Sequence, residues 1–251
     1  MEVWPTYIAR ILCVCFLWTA YICSHAAAES KLPSRVNIGV YQTEKPLIYQ
    51  AENGQWHGIF AERYKDIFSP LNIEIDFTGF DNYPRVISAL SQGHIDSAVN
   101  IREENGRLRT NEFMVCTDEP FTQTRWGAYI QATEYHAPVS TTELSQYTVG
   151  AIRVLDLEHL SLFNEGNVVL VRHIKQLPKL LKSGRVDAIV TSPLAIEYWR
   201  QTEGMDLKEI HSFGFYYSHL CFSSVALGKE NAEQLKTRID TQLKQNNPLL
   251  Q

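Results

Sequence analysis

One pattern occurs twice in this chain. Residues Ala89 to Asn100 read ALSQGHIDSAVN, and residues Leu180 to Thr191 read LLKSGRVDAIVT. Both run from an apolar helix end through a polar pair to Gly, one polar residue, a β-branched residue, Asp and an apolar run. Gly93 and Gly184 stand where a helix C-terminus favours a left-handed residue. Ile95 to Val99 and Val186 to Val190 are short apolar runs of the kind buried in parallel sheets. Each copy therefore predicts a helix that stops on glycine and turns into a buried strand, and one copy in each half predicts two similar lobes. Gly-x-β-Asp after a helix also arises by chance in α/β chains, so the surrounding order of elements has to decide.

The N-terminus is set apart first. Ile11 to Ile22 is apolar, preceded by Arg10 and followed by SHAAAES, the layout of a secretory signal cleaved at a small residue. Residues 1–28 are thus expected to be a signal peptide, with cleavage after Ala28. The stretch is short for a bilayer span of roughly 20 residues; a retained anchor starting near Tyr7 is the alternative. Ile22 precedes Cys23, whereas a lipid-anchored form needs a small residue there. A periplasmic protein without stable membrane insertion after cleavage is the expectation. About 220 residues remain, enough for two small lobes. The formal net charge of −5 argues against nucleic acid or an anionic membrane as partner. Cys13, Cys15 and Cys23 leave with the signal. Cys116 and Cys221 remain and are a disulfide candidate in an oxidising compartment, two buried free thiols being the alternative.

The mature chain reads as alternating elements. Val36 to Tyr41 is a strand, followed by a loop or small hairpin with Pro46 and an Asn53-Gly54 turn. Phe60, Tyr64, Ile67 and Phe68 fall at helical spacing within Gly58 to Ser69. Strand Ile73 to Phe80, helix Asn82 to Gln92 and strand Ile95 to Ile101 complete a β-α-β-α-β half. Phe113 to Cys116 and Arg125 to Gln131 are extended candidates. From Tyr147 the order restarts: strand to Arg153, helix Asp156 to Phe163, strand Val168 to Arg172, helix Ile174 to Ser183, the second glycine unit, and helix Pro193 to Gln201. Phe213 to Leu227 is a long extended run, and Glu230 to Lys244 is a helix with Ala232, Leu235, Ile239 and Leu243 on one face. The closing strand and helix are expected to pack back on the first lobe. This makes the lobes discontinuous, joined by crossing segments near Phe121 to Gln131 and Ser218 to Leu227.

With these elements in place the chain resembles the periplasmic solute-binding proteins of bacterial family 3, which serve polar amino acid uptake. The likeness spans almost the whole mature chain. It rests on VNIGVY, ENGQWHGIFAERYKDIF, FDNYPRVISALSQGHIDSAV, TDEPF and LPKLLKSGRVDAIVTSP, in that order and spacing. The resemblance implies an α/β fold, the two-lobed type II periplasmic binding fold. Each lobe is then a mostly parallel sheet flanked by helices, joined by two crossover strands, with lobe I at 33–124 plus 219–251 and lobe II at 125–218. It also implies a small polar ligand captured between the lobes, no cofactor or metal, a monomer, and an ABC permease or a sensor receptor as partner.

In an open α/β sheet the ligand meets the carboxyl ends of the strands. Here these ends supply Tyr41 and the loop to Tyr49, Phe80 to Tyr83, Asn100 to Arg102, Arg153 and Thr191-Ser192, while Trp126 lies on a crossing strand. The resemblance places a carboxylate-binding arginine after the third strand. Arg102, Arg107 and Arg109 lie near that position, none with the family's Thr-x-x-Arg pattern. Amino-acid binders put an aspartate for the ligand ammonium after the second glycine unit, where this chain has Thr191-Ser192, and Gly-Ser/Thr where it has Arg153-Val154. An anionic or neutral polar ligand therefore fits a wall of Arg153, Thr191 and Ser192 better than a standard α-amino acid. Tyr41, Tyr49, Phe80, Tyr83 and Trp126 offer aromatic faces for an apolar part of it, core packing being the other reading of each. Glu62 is read as structural. Asp96 and Asp187 are expected to satisfy backbone groups at their turns.

Two other classes stand beside this reading. Some proteins of this fold are lyases, but the chain has no His-Glu-x-x-His, Gly-x-Ser-x-Gly or phosphate-binding glycine loop, and its eight histidines lack zinc spacing. A general acid or base would have to come from groups such as Glu44, Asp81 or His173, so a non-enzyme is expected. A sensory or accessory binding module remains the alternative to an uptake protein.

Overall fold

The computed structural model describes residues 32–41, 45–101, 112–153, 163, 165–246 and 249–250. The expected signal at 1–28 lies outside them, as do Glu44, Arg102, Arg107, Arg109 and all but the last residue of the helix expected over Asp156 to Phe163.

The first half builds a parallel sheet. β1 (Arg35–Tyr41) buries Val36, Ile38 and Val40. The hairpin of β2 (Tyr49–Gln50) and β3 (Trp56–His57) turns at Asn53, whose Oδ1 accepts the Gln55 N–H. Tyr64, Ile67 and Phe68 anchor α1 (Ile59–Phe68) in the core. β4 (Glu74–Phe80) runs parallel to β1 in unbroken register, from Arg35 opposite Glu74 to Tyr41 opposite Phe80. Asn82 caps α2 (Tyr83–Ser91) by accepting the Arg85 N–H at 3.0 Å, and β5 (Ser97–Ile101) follows parallel to β1.

The same junction recurs in the second half, between α4 (Leu177–Lys182) and β10 (Ala188–Thr191). In the first copy Gly93 donates its N–H to Leu90 O and His94 donates to Ala89 O; in the second, Gly184 donates to Leu181 O and Arg185 to Leu180 O. This paired pattern with a left-handed glycine, φ 74° at Gly93 and 64° at Gly184, closes a helix by satisfying its last carbonyls. Each aspartate then grips the neighbouring strand at both backbone groups. Asp96 donates its N–H to Asn37 O and accepts the Asn37 N–H on its carboxylate, at 2.9 and 2.8 Å. Asp187 does the same to Thr148, at 2.7 and 2.8 Å. The aspartates thus bind the adjacent strand rather than their own turns. A glycine-ended helix followed by an aspartate clamp fixes how strand and neighbour start together.

β6 (Met114–Cys116) and β7 (Thr122–Gln131) are followed by α3 (Thr141–Leu144), β8 (Val149–Ile152) and β9 (Val168–Val171), and α5 (Pro193–Glu203) follows β10. β11 (Leu207–Ser223) begins six residues before the expected Phe213, because Lys208, Glu209, His211 and Ser212 interrupt its apolar pattern. It also ends earlier than Leu227. Ser223 accepts the Ala226 N–H and starts a helical turn, α6 (Ser224–Leu227). α7 (Lys229–Gln245) buries Ala232, Leu235, Ile239 and Leu243, and β12 (Leu249–Leu250) pairs with β7. The main sheet follows the order β4-β1-β5-β11-β7-β10-β8-β9.

α7 packs on the segment between β6 and β7. Asp240 accepts the Glu119 N–H at 3.0 Å, Lys236 pairs with Asp118 at 2.6 Å, and Arg63 of α1 donates to Asn246 O at 2.7 Å. Cys116 and Cys221, opposed across the β6–β11 pair, are joined in a disulfide that closes a loop with a sequence separation of 105. No helix among the described residues is long and apolar enough to cross a membrane.

The two glycines differ in surroundings, which gives a test. A Cβ at Gly93 would meet Val225 Cγ1 at 2.9 Å and Ala226 N at 3.1 Å, whereas at Gly184 nothing lies within 4 Å. Gly184→Ala is expected to cost about 1–2 kcal/mol for the left-handed backbone. Gly93→Ala adds overpacking and is expected to cost about 1–3 kcal/mol more. Urea unfolding of both variants measures the difference.

Candidate functional site: two facing rows of strand ends

The register across the sheet locates the strand ends. β5 ends at Ile101, which pairs with Ser218 of β11, which in turn pairs with Thr122 of β7. From the other side, Thr191 at the end of β10 pairs with Gly127 of β7. β5 runs parallel to β7 and β10 antiparallel to it, so their carboxyl ends point at each other along β7. From Thr122 to Gly127 is five strand steps, about 17 Å at ~3.4 Å each. β1 and β4 are parallel to β5, and β8 and β9 are parallel to β10, so the carboxyl ends in one half face those in the other.

The fold is that of the two-lobed periplasmic binding proteins. The arginine-bound form of a truncated ArgBP from T. maritima matches 85% of this chain and 97% of its own, with TM-score 0.64 and 18% identity. A histidine kinase sensor domain with similarity to periplasmic binding proteins matches 85% of this chain and 92% of its own, with TM-score 0.66 and 16% identity. A periplasmic domain of BvgS from Bordetella pertussis matches 85% and 88%, with TM-score 0.65 and 17% identity. At these identities the likeness is one of fold. No family model matches the sequence, and no curated protein matches it.

In the first row Tyr41 ends β1 beside Phe80, and its ring meets that of Tyr83 edge-on, with centroids 5.2 Å apart. Burial, with a smaller contribution from Tyr83, holds the Tyr41 phenol above its ordinary pKa range. Tyr41 and Phe80 also pack against the core of Val86, Leu90, Ile95 and Ala98, so both have a structural role.

In the second row, continuing the β10 pairings with β8 and β7 places Ser192 beside Arg153 on one side and Trp126 on the other. Three residues singled out from separate parts of the sequence thus share one level. Arg153 is exposed, and its N–H donates to Val171 O at 2.8 Å. Trp126 is half-buried against the core of Ala128, Val149, Ala151 and Val190. Thr191 and Ser192 are buried, at 0% and 4% exposure, and Thr191 Oγ1 has no hydrogen-bond partner. Arg102, Arg107 and Arg109 fall outside the described residues.

A feature that the sequence reading missed lies on β7 and β11. Arg125 pairs with Glu209 at 2.7 Å, and the Glu209 carboxylate lies over Gly127 toward Tyr129, whose hydroxyl is 3.5 Å from Oε2. Burial first, then the Glu209 charge, raises the Tyr129 pKa. β11 carries register irregularities between Glu209 and His211 and between Ser212 and Gly214, opposite Trp126 to Tyr129. A glycine inside a strand, as at Trp126-Gly127-Ala128, was the available signal for such a close approach.

A cavity of about 570 Å³ is lined by Lys45, Pro46, Tyr49, Gly58, Ile59, Glu62, Arg63 and Asp66 from the first half and by Tyr198 of α5 from the second. Of the residues singled out from sequence it includes Tyr49, and also Glu62, whose carboxylate pairs with Lys65 at 2.8 Å. It touches neither row. Its mixed charges and exposed acidic side chains set it apart from the end of β10, where Thr191 and Ser192 are buried. Among the described residues no group of three or more His, Cys, Asp or Glu could hold a metal ion.

The close approach is testable. A Cβ at Gly127 would meet Glu209 Oε1 at 3.0 Å and His211 O at 3.1 Å. Gly127→Ala is expected to cost about 1–3 kcal/mol by overpacking. In a Glu209→Ala background the same change should cost less, a coupling that a double-mutant cycle in urea reads directly.

Proposed function

We propose that the protein is an exported solute-binding protein, related to the family serving polar amino acid uptake, that captures a small polar ligand between its two halves. The supporting observation is the pair of strand-end rows, which face each other about 17 Å apart along β7. The halves correspond to residues 33–124 plus 219–251 and 125–218, and the N-terminal segment directs export to the periplasm. Closure would bend the chain where β11 is irregular, opposite Trp126 to Tyr129, since broken strand register is where a sheet yields first. Tyr41, Tyr83 and Trp126 would flank the ligand, with Arg153, Thr191 and Ser192 on the second wall and one of Arg102, Arg107 or Arg109 available from the first. The purpose is uptake through an ABC permease, and no step of chemistry is assigned to the site. A sensory module for a membrane receptor is the second reading, favoured by the likeness to a histidine kinase sensor domain and to a BvgS periplasmic domain.

A thermal shift screen against amino acids, organic acids and polyamines tests capture. A compound at about 100 times its dissociation constant adds roughly 2.7 kcal/mol, about 5–11 °C for a chain of this size. If no compound shifts the melting point while one of them is converted to product, an enzyme reading replaces this one. Deleting the gene and measuring uptake of the stabilising compound separates the two purposes. Lost uptake supports transport; unchanged uptake with a lost transcriptional response supports sensing.

A further inference from the structure

Thr191 closes β10, and strand alternation fixes its direction. Ala188 and Val190 join the cluster on one face of the sheet, whereas Ile189 joins the cluster that includes Ala195 and Trp199 of α5. Thr191, in step with Ile189, is therefore on the face covered by α5, next to that helix's first turn. Its hydroxyl is wholly buried and unpartnered there. A buried hydroxyl without a partner is uncommon in a native protein and calls for a group that completes it.

The start of α5 is also open to an anion. Ser192 is its N-cap but makes no side-chain capping bond, Pro193 follows at the first helical position, and the first turn holds no acidic residue. The helix runs for 11 residues, so its N-terminus carries the positive end of a developed dipole; Pro193 brings no N–H and Ala195 and Ile196 both donate to Ser192 O, which leaves the Leu194 N–H as the first-turn donor for an anion. Arg153 follows β8, and extending the β10–β8 register three residues past its last pair, Ile189 with Gly150, brings it level with Ser192. Two hydroxyls, a helix N-terminus and a guanidinium offer donors and positive charge, and none offers a carboxylate to an ammonium group.

We infer that the N-terminus of α5, together with Thr191 and Ser192, seats a carboxylate of the ligand. The inference rests on the proposed capture of a ligand between the halves and names the chemical class that the second row selects. A ligand amine, if present, is directed away from α5. The ligand is thus an organic acid whose acidic group lies toward β10.

The test is calorimetric titration of the full chain with C3 to C6 mono- and dicarboxylic acids, their amides and the matching amines, each also titrated into Thr191→Val and Ser192→Ala. Acids are expected to bind at least tenfold more tightly than their amides, and amines not to bind. Thr191→Val keeps the side-chain shape and removes the unpartnered hydroxyl. It should leave the unliganded melting temperature equal or higher while weakening acid binding about tenfold. This combination distinguishes a lost ligand contact from a damaged fold. Amines or amides binding as tightly as acids, or acid affinity unchanged in both variants, overturns the carboxylate seat and leaves ligand capture standing. A series in which nothing binds overturns both.

Discussion

β7 gives one edge to β11 and the other to β10, and β11 passes the connection on to β5. Through these pairings two parallel sheets, built by separate stretches of chain, become one hydrogen-bonded path whose strands point inward from both sides. Reversing either crossing strand would turn one set of carboxyl ends outward and remove the gap between them. The disulfide of Cys116 and Cys221 closes the loop that contains β7, the whole second half and most of β11. Such a long loop is costly in entropy to close, and a covalent link at its base lowers that cost in the unfolded chain. Asp240 and Lys236 of α7 hold the same base from outside.

Within each half the glycine junction performs one mechanical task. The helix ends on a left-handed glycine, the chain reverses, and an aspartate three residues later grips the adjacent chain near the start of its strand. With Asn37 and Thr148 held at their starts, β1 and β8 run in step with β5 and β10, and their far ends arrive level. The level rows of Tyr41 beside Phe80, and of Trp126, Ser192 and Arg153, are consequences of registers set at the opposite end of the strands.

The scaffold was legible because its signals are local and repeated: Gly93 and Gly184 in matching frames, apolar runs of strand length, and the 3.6-residue stripe of Ala232, Leu235, Ile239 and Leu243. β11 was misplaced at both ends for local reasons as well. Its first residues are polar, exposed in alternation and bulged, and Ser224 to Leu227 is too short to show a helical period. The site was legible only as far as strand ends predict it. Trp126, Arg153 and Ser192 could be named one by one, but their shared level follows from pairings between distant segments. Glu209 was missed because its partner Arg125 is 84 residues away and only the fold brings them across Gly127. Tyr198 of α5 reaches the cavity of Lys45, Glu62 and Asp66 in the same non-local way.

The chemistry of the gap depends on which row a ligand touches and with what group. Aromatic rings line the first row, and Trp126, the Ser192 hydroxyl at a helix N-terminus and the Arg153 guanidinium form the second, a pairing suited to the proposed acid with an apolar body. The most direct measurement is a crystal structure of the protein with its most strongly stabilising compound. Density for that compound between Tyr41 and Tyr83 on one side and Trp126 and Ser192 on the other is the predicted result. Density confined to the cavity of Lys45, Glu62, Asp66 and Tyr198, with the strand ends empty, would contradict the account.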